Sequence, residues 1–246
     1  MKKIALLAIL ISLLACKNEE KPLTADGIID KAIEKAGGEL YKKANIEFVF
    51  RKNTYTSNRN DGKFEFTRTL KDSLGEVKDV LNNDGPKRYR EGREVELSDS
   101  LAGVYSESVN SVHYFVQLPF GLNDAAVQKE LVGEDSIAGK PYYEIRVTFK
   151  QEGGGADHED IYMYWVNKEN FTIDYLAYRF YVNDGGIRFR VAIDPRTKNG
   201  IRFVDYLNYK TEDLSTPLEE LDELYEAGKL EKVSEIKNEI LKVEIN

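Results

Sequence analysis

The sequence predicts a single, mainly β domain of the α+β class, with about ten antiparallel strands and about three or four helices. Its 246 residues include 15 Tyr and 11 Phe, and aromatic side chains favour the half-buried surface of a sheet. The stretch from Asp160 to Tyr209 has the pattern of four consecutive strands separated by turn residues. No segment between these strands is long enough for a crossover helix, so neighbouring strands are expected to be antiparallel.

Turn residues within this stretch predict how its strands pair. The segment from Asn183 to Gly186 separates two apolar runs, which is typical of a β-hairpin. A hairpin centred there places Arg179 opposite Arg190 and keeps the apolar side chains together. With the next strand starting near Gly200, one face of the sheet becomes almost wholly apolar. Its members are the predicted lining of a ligand cavity: Trp165, Leu176, Tyr178, Phe180, Phe189, Val191 and Phe203.

The rest of the chain alternates between further strands and helices. Thr24 is expected to cap a helix from Ala25 to Lys35, which two glycines end. Helical spacing returns between Ser98 and Pro119, in a short segment from Asp124 to Glu130, and after Thr216. The other predicted strands run from Ile46 to Tyr55, Lys63 to Leu70, Glu76 to Leu81, Leu131 to Ile137, Tyr142 to Lys150 and Val233 to Ile245, with a charged edge hairpin from Lys87 to Leu97.

Residues 1–15 have the features of a signal peptide. Lys2 and Lys3 precede an apolar run that is too short to span a bilayer. The run ends in Leu-Leu-Ala-Cys, which resembles the lipobox of bacterial lipoproteins, where the cysteine becomes the first mature residue and receives acyl chains. Cys16 is therefore the predicted lipidation site, residues 16–24 the tether, and residues 25–246 the folded domain. This predicts an outer-membrane lipoprotein on either the periplasmic face or the cell surface.

Composition argues against several classes of function. The net charge is −8, and an acidic chain is a poor nucleic-acid binder. Only two histidines and one cysteine are present, so most metal sites and catalytic triads lack their residues. His158 has acidic neighbours in the segment from Asp157 to Asp160, but the calcium-loop pattern is missing and a solvated loop is favoured. We therefore predict no catalytic residue, no metal site and no cofactor.

Arg179 and Arg190 form the one polar group in the predicted sheet that indicates a ligand. Two arginines opposite each other are unfavourable unless anions lie between them. The carboxylates of a helix would provide such anions, and so would the phosphate or carboxylate of a ligand held by guanidinium groups. The second alternative makes both arginines candidate head-group residues.

Seven segments of the sequence are similar to an uncharacterised family of Gram-negative lipoproteins. They are Ser111 to Phe115, Leu118 to Phe120, Leu122 to Val127, Tyr164 to Trp165, Asp174 to Tyr178, Gly185 to Arg190 and Gly200 to Phe203. The resemblance implies the LolA/LolB lipoprotein-carrier fold, an incomplete antiparallel barrel of about 10–11 strands with helices across its concave face, although a shared fold does not establish a shared task. It implies no catalytic residue.

The leading hypothesis is a non-enzymatic, membrane-anchored envelope lipoprotein that binds a lipid, a lipidated peptide or another amphipathic ligand in an apolar cavity. It is expected to be a monomer. A half-barrel covered by helices either closes its core or leaves a cavity that admits an acyl chain. The alternatives are therefore a protein–protein interaction module with a closed core, and a hydrolase that uses His113 or His158.

Overall fold

The computed structural model describes residues 23–155, 157–182 and 184–246. The predicted signal peptide, Cys16 and most of the predicted tether lie outside the described residues. Within these residues the fold is mainly β, as predicted, and consists of two antiparallel sheets that are not closed into a barrel. The predicted fold class is therefore confirmed.

Each of the two sheets contains seven strands. The strands of the described residues are β1 (Ala44–Phe50), β2 (Asn53–Asn60), β3 (Lys63–Asp72), β4 (Gly75–Asn82), β5 (Gly85–Arg90), β6 (Arg93–Val95), β7 (Val127–Ile137), β8 (Lys140–Phe149), β9 (Ile161–Asn167), β10 (Ile173–Phe180), β11 (Gly186–Lys198), β12 (Ile201–Lys210), β13 (Glu231–Ile236) and β14 (Asn238–Ile245). Sheet A has the order β14-β1-β2-β3-β4-β5-β6, and sheet B has the order β13-β12-β11-β10-β9-β8-β7.

The strands beyond the predicted number come from turns that the sequence does not signal. The predicted single strand from Ile46 to Tyr55 is wrong, because β1 and β2 form a hairpin that turns at Arg51 and Lys52. Arg51 has a φ of 56°, a conformation that Gly, Asn or Asp usually adopts in such turns. The predicted strand from Val233 to Ile245 is also wrong. It is divided at Lys237 into β13, which belongs to sheet B, and β14, which belongs to sheet A.

Three α-helices accompany the sheets in the described part of the chain. They are α1 (Ala25–Ala36), α2 (Asp99–Val116) and α3 (Leu221–Glu226), with short 3-10 helices at Gly38–Lys43, Phe120–Asn123 and Leu218–Glu220. Thr24 caps α1 as predicted, and its hydroxyl accepts a hydrogen bond from the Gly27 N–H at 3.2 Å. The predicted helix from Asp124 to Glu130 is wrong, because strand β7 starts at Val127 and pairs with β8.

The register predicted for the hairpin of β10 and β11 is also wrong. Phe180 pairs with Gly186 and Leu176 pairs with Arg190, three positions away from the predicted alignment. Gly186 permits this pairing because a Cβ there would lie 2.5 Å from Cζ of Phe180. Since directly paired residues share a face and the shift is odd, Arg190 and Arg179 lie on opposite faces of sheet B instead of opposite each other.

Strand β11 is longer than predicted. Pro195 does not end it, because the proline lies at a bulge in the pairing with β12, where a missing N–H is tolerated. The strand continues to Lys198. The turn that follows consists of Asn199 and Gly200, with φ of 48° and 84°. The hairpin of β11 and β12 therefore extends beyond the rest of sheet B.

This extended hairpin connects the two sheets. Lys198 Nζ donates to the carbonyls of Ile240 and Leu241 at 2.9 and 2.6 Å. Asn199 Nδ2 donates to the carbonyl of Val243 at 2.7 Å. These three acceptors belong to β14, the edge strand of sheet A, so side chains of sheet B satisfy backbone groups at that edge.

A buried carboxylate completes this junction. Asp205 on β12 accepts a hydrogen bond from the backbone N–H of Asn238 at 3.0 Å and one from the Arg196 guanidinium at 2.9 Å. The Asn238 side chain in turn donates to the carbonyl of Val204 at 3.4 Å. Since Asn238 is the first residue of β14, these bonds fix the point at which the chain passes from sheet B to sheet A.

Sheet B buries apolar side chains on both of its faces. The front face packs against α1 and includes Tyr162, Tyr164, Leu176 and Tyr206. The back face packs against Leu221 of α3 and includes Met163, Trp165, Ala177 and Phe189. The alternation of side chains along β9 and β10 therefore supplies two separate cores, each covered by a helix.

Helix α2 buries a neutral histidine against sheet A. His113 is 1% exposed, and its ring stacks on Phe66 with a centroid distance of 4.4 Å. Its Nε2–H donates to the carbonyl of Thr67 at 3.2 Å, and its Nδ1 accepts a hydrogen bond from Gln117 at 3.3 Å. Burial, against the opposing effect of the hydrogen bond to the Thr67 carbonyl and with a smaller contribution from the positive charge of Arg59, lowers the pKa of His113 to about 4.

Replacing Asp205 with Ala is expected to lower the free energy of unfolding by about 2–3 kcal/mol, because the buried N–H of Asn238 loses its acceptor and the guanidinium of Arg196 loses its carboxylate partner. Chemical denaturation of both proteins measures the difference. Lys237→Ala is the control, since it removes only an exposed ion pair to Glu235 and is expected to cost less than about 1 kcal/mol. Equal losses for the two variants would contradict the role assigned to Asp205.

The neutral His113 makes stability depend on pH. Its pKa in the folded protein lies below the unfolded value of 6.5, so its contribution to stability is complete above pH 6.5 and is lost as the pH falls toward 4. The loss amounts to roughly 3 kcal/mol. His113→Gln titrates in neither state, so the difference in unfolding free energy between wild type and this variant is expected to shrink across this range.

Val109→Ala is the matched control for the His113 measurement. Val109 is buried on the same helix, so its truncation also destabilises the packing of α2 but adds no titrating group. Its difference from wild type is expected to be the same at pH 7 and pH 4.5. A difference for His113→Gln that is equally independent of pH would show that the imidazole is not held neutral.

Candidate functional site

A cleft of about 360 Å³ lies between α2, sheet B and the edge of sheet A. Residues of α2 form one wall, the front face of sheet B forms the other, and Phe50 of β1 lies at the side where the sheets meet. Its volume falls within the range of about 300–1,000 Å³ that is usual for small-molecule sites. The apolar side chains that line it are Phe50, Val112, Phe115, Val116, Tyr162, Tyr178, Phe180, Val182, Tyr206 and Ile236.

Arg190 lies at this cleft and is 8% exposed. Its guanidinium carbon is 3.9 Å from the centre of the Phe115 ring, a cation–π contact across the cleft from sheet to helix. One terminal nitrogen donates to the hydroxyl of Tyr178 at 2.8 Å, whereas the buried Nε has no hydrogen-bond partner. Among residues 23–155, 157–182 and 184–246, no carboxylate lies within 4 Å of this guanidinium. Arg190 therefore keeps donor capacity that the protein does not use.

The lining of the cleft also includes two acidic residues. Asp160 and Asp157 contribute to its lining, as does Arg188. Burial and the nearby charge of Asp157 together raise the pKa of Asp160 to about 6, against the opposing effect of a hydrogen bond from the Tyr181 backbone. The cleft therefore combines aromatic walls with a buried arginine and a carboxyl group whose charge changes near pH 6.

Helix α2 also borders a second cleft, of about 450 Å³, on the side of sheet A. Its most buried cation is Arg59, which donates to Gln117 at 3.2 Å and lies 4.8 Å from the ring of Phe66 and 4.9 Å from that of Phe120. Burial lowers the pKa of this arginine. The Nε of Arg59 already donates to Gln117, so Arg59 is less available to bind an anion than Arg190 is.

Three of the predicted site residues meet at the first cleft, namely Tyr178, Phe180 and Arg190. Leu176 lies beneath them in the front core. Trp165, Phe189 and Val191 lie on the back face below α3, and Phe203 packs with Tyr41 in a third core near sheet A.

Arg179 also lies on the back face, where it donates to the carbonyl of Thr216 at 2.8 Å. The structure thus divides the predicted cavity lining between two faces, because the real register differs from the predicted one by an odd number of residues.

Other parts of the site were missed by sequence analysis. Val112 and Phe115 of α2 form the wall opposite sheet B, and Phe50 approaches from sheet A. The sequence signal for the helix was its apolar spacing, which indicated a buried helix without showing that its two sides face two different sheets. Asp160 was noted only as part of an acidic loop.

The two histidines occupy unlike positions. His113 is enclosed by the rings of Phe48, Tyr55 and Phe66, whereas His158 Nδ1 donates to the carbonyl of Gly155 at 3.2 Å. In the part of the chain that the structure describes, neither imidazole is hydrogen-bonded to a carboxylate or a hydroxyl group. The pairing of nucleophile, base and orienting group that a hydrolase needs is thus not found around either of them.

None of the helices in the described residues has the length and apolar character needed to cross a membrane.

Comparison with solved structures identifies the fold. The chain is similar to a LolA superfamily protein from Nitrosomonas europaea, with a TM-score of 0.51 and 13% identity over 92% of this chain and 94% of that one. It is also similar to a DUF1329 family protein from Desulfovibrio piger, with a TM-score of 0.53 and 10% identity over 92% and 94% of the two chains. At such identities the likeness concerns the fold alone, and it confirms the predicted LolA-like architecture.

Sequence comparison agrees with the predicted membership of an uncharacterised family. A search of curated proteins finds no match. The profile of a family of unknown function, DUF6503, matches residues 2–238, and the chain belongs to that family.

Proposed function

We propose that this protein is a non-enzymatic envelope lipoprotein that binds the acyl chain of a lipid, a lipidated peptide or another amphipathic molecule in the cleft beside α2. Arg190 holds the acidic head group. The observation that carries this proposal is a buried guanidinium with an unused Nε at an otherwise aromatic and aliphatic cleft. A carboxylate or phosphate is the acceptor that fits a guanidinium, and the apolar walls fit the attached hydrocarbon.

The energetics of the cleft favour such a ligand. Each methylene group transferred from water to its apolar walls contributes about 0.8 kcal/mol. A charged hydrogen bond to Arg190 adds about 1.5–3 kcal/mol, because the guanidinium has already lost most of its hydration. The hydrocarbon therefore supplies most of the affinity and the arginine supplies the preference for an anionic end.

The remaining parts of the proposal concern the membrane. Cys16, at the end of the lipobox-like sequence, carries the lipid anchor, and the residues up to 24 tether the domain to the outer membrane. A domain held at a membrane meets amphipathic ligands at high local concentration. The likeness of the fold to a LolA superfamily protein supports this proposal, and the open cleft is evidence against a closed-core interaction module.

Affinity is expected to rise with the length of the ligand's hydrocarbon chain. For saturated fatty acids, the dissociation constant should fall roughly fourfold for each added methylene until the cleft is full, because each one buries the same apolar area. Isothermal titration calorimetry with even-numbered acids from eight to sixteen carbons measures the series. A dissociation constant independent of chain length would contradict binding of the hydrocarbon in the cleft.

Arg190→Met is expected to weaken the binding of a fatty acid about tenfold or more, since it removes the charged hydrogen bond but keeps an apolar side chain against Phe115. Binding of the alcohol of the same chain length should change much less, because it has no anionic group. Arg93→Met is the matched control, as it removes the same charge from an exposed position on β6. An equal loss for acid and alcohol would show damage to the cleft rather than loss of a head-group contact.

A further inference from the structure

Three carboxylates converge on the back face of sheet B, the face opposite the cleft. Asp135 belongs to β7, Glu144 to β8 and Asp222 to the first turn of α3. One oxygen from each residue lies within 4.8 Å of the corresponding oxygens of the other two. Residues that are far apart in sequence are thus brought together where α3 covers the sheet.

The strand pairing makes room for this group. Glu144 is directly opposite Gly133 on one neighbouring strand and Trp165 on the other. A Cβ at position 133 would lie 2.4 Å from Oε2 of Glu144, so any other residue there would displace the carboxylate. Gly133 does not have a positive φ, and the glycine is therefore not required by the backbone. Its absent side chain leaves the space that the Glu144 carboxylate occupies.

Asp222 is the residue that points to a ligand. It is 2% exposed, and its Oδ1 has no hydrogen-bond partner although it lies in the interior. A buried, unpartnered carboxylate oxygen is costly, and the two other carboxylates beside it increase the repulsion. Among the described residues, no lysine or arginine lies within 4 Å of any of the three carboxylates. Arg146, two residues further along β8 than Glu144, is already paired with Glu130 and Glu219.

A cation shared by the three carboxylates accounts for all of these features. Oxygens bound to one calcium ion lie about 2.3–2.6 Å from it and hence no more than about 5 Å from one another, which the observed spacing satisfies. Carboxylate ligands suit a hard cation better than zinc, and calcium tolerates irregular coordination better than magnesium does. We propose that Asp135, Glu144 and Asp222 form a divalent-cation site of the calcium type, which joins α3 to the edge of sheet B.

Terbium luminescence tests the site selectively, because Tb³⁺ replaces Ca²⁺ and is excited by energy transfer from a nearby tryptophan. The chain has one tryptophan, Trp165, and it lies directly opposite Glu144 in the pairing of β8 with β9. Addition of Tb³⁺ to the full-length protein is expected to give tryptophan-sensitised emission that Ca²⁺ displaces. Ca²⁺ alone should raise the melting temperature, because it binds the folded chain.

Two variants remove the site in different ways. Asp222→Asn removes a charge but keeps the shape, and Gly133→Ala keeps every charge but displaces the Glu144 carboxylate. Each is expected to weaken the binding of Tb³⁺ at least about tenfold, since even the loss of an outer partner of a metal ligand costs that much. Glu223→Gln is the control, because it removes the same charge from an exposed position next to Asp222 and should leave the emission nearly unchanged.

The melting temperature without added cation distinguishes loss of binding from loss of fold. Asp222→Asn relieves repulsion, so it is expected to melt at or above the temperature of the cation-free wild type. A wild type without sensitised emission, or emission that persists in both Asp222→Asn and Gly133→Ala, would overturn the proposal. If the wild type gives no sensitised emission, a proton shared between the carboxyl groups would explain why the three side chains lie so close together.

Discussion

Sheet B is apolar on both faces, and the rest of the molecule is arranged to cover them. Along β9 the side chains alternate between Tyr162 and Tyr164 on the front and Met163 and Trp165 on the back, and all four are buried. A strand of this kind is not stable at a surface, because each uncovered aromatic side chain would lose about 1.5–3 kcal/mol of the hydrophobic free energy gained by burial. Helices α1 and α2 cover the front and the short α3 covers the back. The two covers have different consequences, since α2 leaves a cleft whereas α3 brings a carboxylate onto the sheet.

The cleft exists because the two sheets are joined along one edge and do not close into a barrel. Lys198, Asn199 and Asp205 bond the hairpin of β11 and β12 to the backbone of β14, so the sheets are fixed at this junction. Helix α2 then enters between them with His113 directed to sheet A and Phe115 to sheet B. A single helix does not fill the space between the two sheets, and the unfilled part, which reaches Phe50 and Asn238 beside the junction, is the cleft. The polar bonds of the junction and the apolar cleft are thus two results of the same geometry.

Sequence patterns predicted those features that depend on local residue types. The richness in aromatic residues and the turn residues around β9 to β12 indicated an antiparallel sheet, and helical spacing located α1 and α2 correctly. Sequence patterns could not predict the features that depend on tertiary contacts. Nothing in Arg51-Lys52 signals a turn, and no local sequence pattern indicates that the ring of Phe180 lies over Gly186. The register, in which Phe180 and Gly186 are paired, decides the face of the sheet to which each side chain belongs.

The site illustrates why an error in register matters more than an error in element boundaries. The prediction treated Arg179 and Arg190 as a pair, and its reasoning was that two such charges need an anion between them. In the structure they are separated by the sheet. Arg179 donates to the backbone carbonyl of Thr216, and its buried Nε, like that of Arg190, has no hydrogen-bond partner among the described residues. Arg190 instead lies among the rings of Phe115, Tyr178 and Tyr206, which offer it the negative faces of their π systems but just one hydroxyl bond. Aromatic rings stabilise a buried guanidinium without occupying its planar hydrogen-bonding edge, so the arginine is held in place and left able to donate to an anion that enters the cleft.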